Sequence, residues 1–444
     1  MTLGPARLPA ADGRSVSGAP RRVSRLFYGW WIIVAGAGIQ MLANGLMGQA
    51  YGSYMVLLRN DYGWNKTTLS LGSSLREVVS GGIGPFHGAL LDRLGARAVA
   101  TIGLVLFGLG LMAFSQLRDL LTFYLAFAVI SAGMALCGWT TITFAAVHWF
   151  ERRRATAISL TSAGFAVGGI LVPLTTLAME TLGWRETAFI SGVVVLIVGL
   201  PLAQLIRPSP QAMGLGPDGD ALTEPHHHRL KGERARTAAG DFTLREALHT
   251  ASFWWVGFGH ASALFIVSAI NVHLVSHLHE DLGYSLGTAA WFVTVMTLFQ
   301  LLGTLTGGYI GDHSNKRVLA VGCMGMHAGA ILLLAHAANV EMVLAFAVVH
   351  GLAWGWRGPQ MAAIRADYFG RSHFGKILGV SNLVIIIGTI SGPLIAGYVY
   401  DQTGSYKTGF DILAGLSAAG SVFFILAKKP ALPKRHALRA HGGG

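Results

Sequence analysis

The stretch GALLDRLGAR, residues Gly88–Arg97, has a second copy in this chain, GGYIGDHSNKR at residues Gly307–Arg317. The two copies align when the sequence is shifted by 220 residues, and other matches at shifts of 219 to 221 extend over most of the chain. These matches are Asp61 with Asp281, Gly88 with Gly308, Asp92 with Asp312, Ala126–Val129 with Ala345–Val348, Pro173 with Pro393, and Phe189 with Phe410. Because the second half repeats the first in the same order, the sequence predicts two parallel structural repeats.

Composition indicates that both repeats lie in a membrane. Only 12% of the 444 residues are charged and 52% are hydrophobic, whereas ordinary soluble domains carry about 25% charged residues. A bilayer core of about 30 Å is crossed by a helix of about 20 apolar residues, and each repeat contains six such stretches. We therefore expect an all-α membrane protein with twelve transmembrane helices in two parallel six-helix pseudo-repeats.

The apolar stretches also predict the domain organisation. We expect an N-terminal tail at residues 1–27, a first six-helix bundle at 28–206, a linker at 207–250, a second six-helix bundle at 251–427 and a C-terminal tail at 428–444. The linker is rich in Gly, Pro, Asp and His and ends in FTLREAL, a pattern typical of a short amphipathic helix.

The positions of Lys and Arg predict the orientation in the membrane, because both residue types are retained on the cytoplasmic side. With both tails and the linker on that side, 25 of the 33 Lys and Arg residues are cytoplasmic, and only five lie in the loops of the other side. Both termini are therefore expected to be cytoplasmic. The net charge of +12 then reflects membrane topology, and no nucleic-acid partner is expected.

The stretch Gly88–Arg97 resembles the signature motif of the major facilitator superfamily, whose parallel repeats face each other across a central site. The resemblance implies that an Asp and the basic residues at this helix end help to hold the inner gate closed. In the second copy, His313 and Asn315 stand where the motif has Arg and Gly. We expect a gating role for Asp92, Arg93 and Arg97 of the first copy and for Asp312 and Arg317 of the second.

Other stretches resemble one branch of that superfamily. WFERRRATAISLTSAG, residues Trp149–Gly164, is similar to a motif of monocarboxylate transporters. Three more are similar to bacterial members near the oxalate–formate antiporters: FYGWW (Phe27–Trp31), PQAMGLGPDGD (Pro210–Asp220) and GPLIAGYVYDQTGSY (Gly392–Tyr406). The resemblance implies a monomeric secondary transporter of organic anions in the bacterial inner membrane. Relatives commonly hold the carboxylate with an Arg in the eighth span, and here that span, WFVTVMTLFQLLGTLTG (Trp291–Gly307), has no charge.

An arginine in the tenth apolar stretch is the first candidate for binding an anion. Arg357 lies ten residues before Asp367, which corresponds to about 15 Å of helix and places it near the middle of the bilayer. His350, Trp354 and Arg357 share one helix face, and a guanidinium there can hold a carboxylate by two parallel hydrogen bonds. The alternative is an arginine that a structural carboxylate such as Glu77 neutralises.

Four polar residues of the first repeat are further candidates, because polar groups inside a bilayer usually face a cavity or a partner. Gln40 and Asn44 lie one helical turn apart near mid-depth of the first span. Arg76 and Glu77 lie in the outer third of the second span, and neighbours in a helix point about 100° apart. We therefore expect them to face different partners: Arg76 an anion or a gate, and Glu77 a proton. A structural ion pair is the alternative for each.

These features predict a secondary active transporter that moves a small organic anion, a carboxylate, by alternating access, driven by a proton or solute gradient. The alternative is a proton-coupled exporter of a drug-like or other amphiphilic substrate. An enzyme is not expected, because the sequence contains no Walker loop, no nucleophile elbow and no His/Asp/Cys metal constellation. No cofactor is expected.

Overall fold

The structure, a computed structural model, describes residues 27–219, 241–370 and 373–432. Within these residues twelve helices form the bundle, which confirms the predicted fold class. In chain order they are α1 (Gly29–Tyr62), α2 (66–94), α3 (96–114), α4 (Leu120–Trp149), α5 (Arg154–Leu182), α6 (Trp184–Leu205), α7 (Ala251–Asp281), α8 (Leu286–His313), α9 (Lys316–Ala335), α10 (Val340–Phe369), α11 (Phe374–Thr403) and α12 (Lys407–Leu426).

The junctions α2–α3 and α8–α9 explain why the two copies of the repeated motif differ. Gly95 separates α2 from α3 with φ 77° and ψ 162°, a conformation that glycine adopts readily and other residues rarely adopt. In the second copy α8 ends at His313, and Asn315 is the N-cap of α9. The side chain of Asn315 accepts hydrogen bonds from the backbone N–H groups of Arg317 (3.1 Å) and Val318 (3.4 Å), as N-cap residues do. The chain therefore turns by a different device in each copy.

The helices pack in the same pairs in both repeats. In the first repeat α1 packs against α5, and the α2–α3 stretch packs against α4 and α6. In the second repeat α7 packs against α11, α8 and α9 pack against α10, and α9 also packs against α12. The halves meet along α2–α11 and α5–α8, two interfaces that the repeat relates to each other. Each half has its own apolar core.

Large apolar side chains are exposed along the helices, as expected where a bundle meets lipid. Examples from both repeats are Leu125, Leu174, Ile197, Leu305, Ile387 and Ile425. By length and composition alone, ten stretches of the described chain are apolar enough to cross a membrane, whereas α10 and the first part of α2 fall short. Those two segments carry Arg357, Arg76 and Glu77, so the least apolar spans are the ones with the candidate site residues.

The linker joins the bundle on one side of the membrane, called the linker side below. Its first part docks on the first repeat: Asp218 accepts hydrogen bonds from the backbone N–H groups of Glu151 (3.0 Å), Arg152 (2.7 Å) and Arg153 (3.3 Å) at the start of α5. Its last part contains the short helix Leu244–Leu248, which confirms the prediction from FTLREAL.

The two halves touch on the opposite side and separate toward the linker side. On α2, a Cβ added at Gly81 would lie 2.9 Å from a side chain of α11, whereas one added at Gly88 would meet no atom within 4 Å. On α11, a Cβ added at Gly397 would lie 2.8 Å from Ser70 Oγ of α2, whereas one added at Gly379 would meet no atom within 4 Å. The space between the halves therefore opens on the linker side.

Candidate functional site

Arg357 is a charged side chain in the middle of α10 and is almost completely buried, with 1% of its surface exposed. Its Nε and Nη1 atoms have no hydrogen-bond partner in the part of the chain that the structure describes. Glu77, the carboxylate that the sequence offered as a neutralising partner, pairs with Arg76 instead. Because a buried charge without a partner is costly inside a bilayer, Arg357 lies in a site that an anion would complete.

The groups around Arg357 are cationic or neutral. Cys323 and His327 of α9, His350 of α10 and His260 of α7 are all close enough to Arg357 to interact with it electrostatically. All of these groups are thiols or imidazoles. Among the described residues that act on Arg357 there is thus no carboxylate, and the cluster is a positively charged pocket.

Arg365, two helical turns further along α10, differs from Arg357 because its guanidinium is fully engaged. Its Nε and Nη2 donate to Ser381 Oγ of α11 at 3.0 and 2.7 Å, and its Nη1 donates to the carbonyl oxygen of Met361 at 2.8 Å. Nη2 also lies 3.4 Å from His260 Nδ1. Arg365 therefore holds α10 against α11, whereas Arg357 remains available for a ligand.

His350 forms a pair with His327, a residue that the sequence did not single out. Their Nδ1 atoms lie 3.2 Å apart, and both rings are completely buried. The Nε2 atom of each ring has no hydrogen-bond partner within the described residues. A single histidine in an apolar stretch carries no sequence signal, and only the packing of α9 against α10 brings the two together.

Trp354 lies between this cluster and the first repeat. Its ring centroid is 5.8 Å from that of Phe165 in α5 and 6.4 Å from that of His350. Phe165 in turn lines a cavity of about 320 Å³ in the first repeat, a volume in the range of small-molecule sites. The same cavity is lined by the four candidates from the first repeat, Gln40, Asn44, Arg76 and Glu77.

Arg76 and Glu77 contact each other, so the prediction that they face different partners is wrong. Arg76 Nη2 lies 3.0 Å and Arg76 Nε 3.2 Å from Glu77 Oε1. The Cα–Cβ bonds of the two residues diverge, but both side chains are long enough to turn back toward each other. The pair also lines a second space of about 20 Å³ nearer the opposite side, which is room for about one water. The ion pair thus lies where the cavity narrows.

The expected gating residues lie on the linker side. Asp92 and Arg93 are exposed at the end of α2, and the side chain of Asp312 lies outside the described residues. In this conformation, with the linker side open, neither copy of the motif bridges the halves among the contacts given for described residues. The gating role of Asp92, Arg93, Arg97, Asp312 and Arg317 stays a prediction.

Arg97 and Arg317, the two basic ends of the repeated motif, make equivalent contacts. Arg97 Nε donates to the carbonyl oxygen of Ile206 at the end of α6, at 2.7 Å. Arg317 Nη1 lies 3.5 Å from the carbonyl oxygen of Ala427 at the end of α12. Each arginine therefore satisfies a backbone carbonyl that the helix end leaves without a partner.

A network of charged side chains joins the two halves on the opposite side. Glu280 at the end of α7 forms ion pairs with Lys66 at the start of α2 and with Arg59 at the end of α1. Tyr400 of α11 donates to Glu280 at 3.0 Å, and Asp401 accepts from the backbone N–H of Lys66 at 2.9 Å. The sequence gave these residues no role, because partners more than 200 residues apart leave no local pattern.

Two parallel six-helix repeats around a central cavity, closed on one side and open on the other, define a secondary transporter. The family model described as Major Facilitator Superfamily matches residues 37–285 and 256–442. The chain belongs to the major facilitator superfamily, as the repeated motif predicts.

Individual relatives are more distant. Monocarboxylate transporter 11 of Mus musculus is 26% identical over 423 residues, which cover 91% of this chain and 88% of that protein. A probable hexose phosphate transport protein of Chlamydia pneumoniae is 28% identical over 275 residues, 59% of this chain and 60% of that protein. Among solved structures, a bacterial homologue of the human lysosomal transporter Spinster, in an inward-facing and unoccupied conformation, matches with a TM-score of 0.68 and 16% identity over 91% of this chain and 96% of that chain. This last likeness concerns the fold alone.

Proposed function

We propose that this transporter moves a small organic anion with a carboxylate group by alternating access, as a secondary active transporter. The observation that carries the proposal is the guanidinium of Arg357, buried at mid-membrane with Nε and Nη1 unpartnered among the described residues. A carboxylate fits such a group because it accepts two parallel hydrogen bonds and supplies the missing negative charge. Trp354 borders the site and offers the substrate an apolar wall.

The relatives support an anionic substrate. The names of the two described above specify a monocarboxylate and a hexose phosphate, and both are anions that an arginine can bind. The choice of a carboxylate rests on the motifs that resemble monocarboxylate transporters. Since α8 of this chain has no charged residue between Leu286 and Gly311, Arg357 of α10 would supply the cation that such relatives carry in the eighth span.

The orientation and the driving force belong to the same proposal. The Lys and Arg distribution supports a cytoplasmic linker side with both termini inside, in a bacterial inner membrane. The described conformation would then be open to the cytoplasm, with Lys66 and Glu280 closing the outer side. A proton or solute gradient would drive transport, and the ion pair of Arg76 with Glu77 would respond to the substrate that enters the adjoining cavity.

The experiment is uptake into proteoliposomes that contain the purified protein, with a panel of labelled monocarboxylates, dicarboxylates and a hexose phosphate. Wild type should accumulate at least one carboxylate, and Arg357→Gln should abolish this uptake. Arg118→Gln is the matched control, because Arg118 is an exposed residue between α3 and α4 and should leave uptake unchanged.

Two results would overturn the proposal. Carboxylate uptake by Arg357→Gln at the wild-type rate would remove Arg357 from the site. If no anion moves but a pH gradient drives an amphiphilic cation, the chain is a proton-coupled exporter.

A further inference from the structure

We infer that the imidazole pair of His327 and His350 is a binding site for one proton, which is transported together with the anion at Arg357. The inference rests on the proposed function and adds the coupling ion and its location. It starts from three buried groups on two adjacent helices, α9 and α10, with unpartnered nitrogen atoms within the described residues.

The hydrogen bond between the rings determines how many protons the pair can take. With the Nδ1 atoms 3.2 Å apart, one ring must carry its hydrogen on Nδ1 and donate it, while the other presents a lone pair. In neutral imidazoles the donor ring then has a lone pair on Nε2, and the acceptor ring has its hydrogen there. One proton can therefore form an N–H bond at Nε2 of the donor ring without breaking the bond between the rings. A second proton would need the lone pair that accepts that bond.

The surroundings of the pair make its proton depend on the anion. The charged and titratable groups that face it are Arg357 on α10, His260 on α7 and Cys323 on α9, with Arg365 beyond them. On α12, which packs against α9, Ser417 is neutral, and Asp411 bonds to His336 at the opposite side. The described stretch of α8 has no charge before Asp312.

Arg357 is thus the dominant charge, and it disfavours a second positive charge on the pair. A carboxylate bound to Arg357 cancels that charge, after which the pair can be protonated. By reciprocity, a proton on the pair strengthens anion binding. The empty transporter then carries no proton, so the proton gradient does not leak through it.

The charge of the site predicts an electroneutral symport. The empty site carries the single positive charge of Arg357. When a monocarboxylate and one proton are both bound, the sum of Arg357, the protonated pair and the anion is again one positive charge. The loaded and empty forms therefore cross with the same charge, and the membrane potential should not drive the cycle.

The experiment uses proteoliposomes with labelled pyruvate as the monocarboxylate and a pH-sensitive dye inside. Counterflow at equal pH reports anion binding and folding, accumulation in a pH gradient reports coupling, and the dye reports protons. Wild type should move one proton per pyruvate, should accumulate pyruvate about tenfold for a pH difference of one unit, and should ignore an imposed potassium diffusion potential. His327→Gln and His350→Gln should keep counterflow within about threefold and lose accumulation. His336→Gln, an exposed histidine at the end of α9, is the control and should behave as wild type.

Each contrary result overturns the inference in a distinguishable way. Accumulation that persists in the His327→Gln, His350→Gln double variant places the proton site elsewhere, and its loss in Glu77→Gln alone would assign it to Glu77. Loss of counterflow in the histidine variants would make the pair part of anion binding. In wild type, which needs no variant to fold, a proton-to-pyruvate ratio other than one or a response to the potential would also contradict it. Absence of counterflow for wild type would overturn the proposed function itself.

Discussion

Lys66 and Glu280 form an ion pair across the boundary between the two halves, on the side opposite the linker. Lys66 is completely buried, and Glu280 also binds Arg59, so one carboxylate balances two cations. Removal of one partner from a buried ion pair leaves an uncompensated charge and is strongly destabilising. This pair is therefore the contact on which closure of the opposite side depends most.

Replacement of Glu280 should shift the transporter toward opening on that side. In Glu280→Gln, two cations lose their counter-charge, and we expect a cysteine at Ser268, which lines the narrow space beyond the pair, to react about tenfold faster with an impermeant maleimide from the opposite side. The native Cys137 and Cys323 are first replaced by alanine. Glu341→Gln, an exposed residue at the start of α10, is the control. Equal labelling rates in the two variants would show that the pair does not hold the side closed.

Close packing of α3 against α4 should make Gly133 sensitive to any side chain. A Cβ at Gly133 would lie 2.4 Å from the backbone nitrogen of Phe107, whereas one at Gly415 on α12 would meet no atom within 4 Å. We expect Gly133→Leu to lower the thermal unfolding temperature in detergent, at a cost of about 1–3 kcal/mol or more. Gly415→Leu should leave it nearly unchanged. Similar losses in both variants would contradict the described packing.

Docking of the linker on the first repeat should depend on pH through Asp218. Burial acts to raise the pKa of Asp218, but hydrogen bonds from the backbone N–H groups of Arg152, Glu151 and Arg153 outweigh it, so the pKa lies below its usual value. The stabilisation by this carboxylate is therefore present above its unfolded-state pKa and is lost as the pH falls through the lower, folded-state pKa.

Hydrogen exchange at residues 151–153 measures this docking. Wild type should protect these amides at pH 7 and lose protection, relative to the intrinsic exchange rate, at pH values below the usual pKa of an aspartate. Asp218→Gly should lose it at both pH values, and Asp218→Asn should show no pH dependence. Both substitutes tolerate the left-handed φ of 58° at this position. Full protection in Asp218→Gly would mean that the carboxylate does not hold the linker.

The sequence predicted those contacts that the repeat makes twice. Asp61 accepts a hydrogen bond from Trp184 Nε1 at 2.7 Å, and Asp281, 220 residues later, accepts one from the backbone N–H of Tyr406 at 2.8 Å. Such pairs stabilise the scaffold, so both copies keep them and a simple shift of the sequence finds them. For the same reason the twelve helices and the family followed from the sequence.

The chemistry of the candidate site was less accessible. Helical spacing placed Trp354 and Arg357 on one face, but it could not show which helix that face meets, so His327 was missed. The contact between Arg76 and Glu77 depends on side-chain rotamers, which the direction of the Cα–Cβ bond does not determine. Arg357 itself was found because a charge in only one of the two repeats serves no scaffold role that the other repeat shares.

The central claim, that Arg357 binds the substrate anion, is tested most directly by equilibrium binding of a labelled carboxylate to purified protein. Loss of a buried, hydrogen-bonded charge partner costs about 2–5 kcal/mol, so Arg357→Gln should raise Kd about 30-fold or more. Arg357→Lys keeps the charge but loses the two parallel hydrogen bonds, and its Kd should be intermediate. Arg118→Gln should bind as wild type does. A Kd for Arg357→Gln equal to that of wild type would contradict the account.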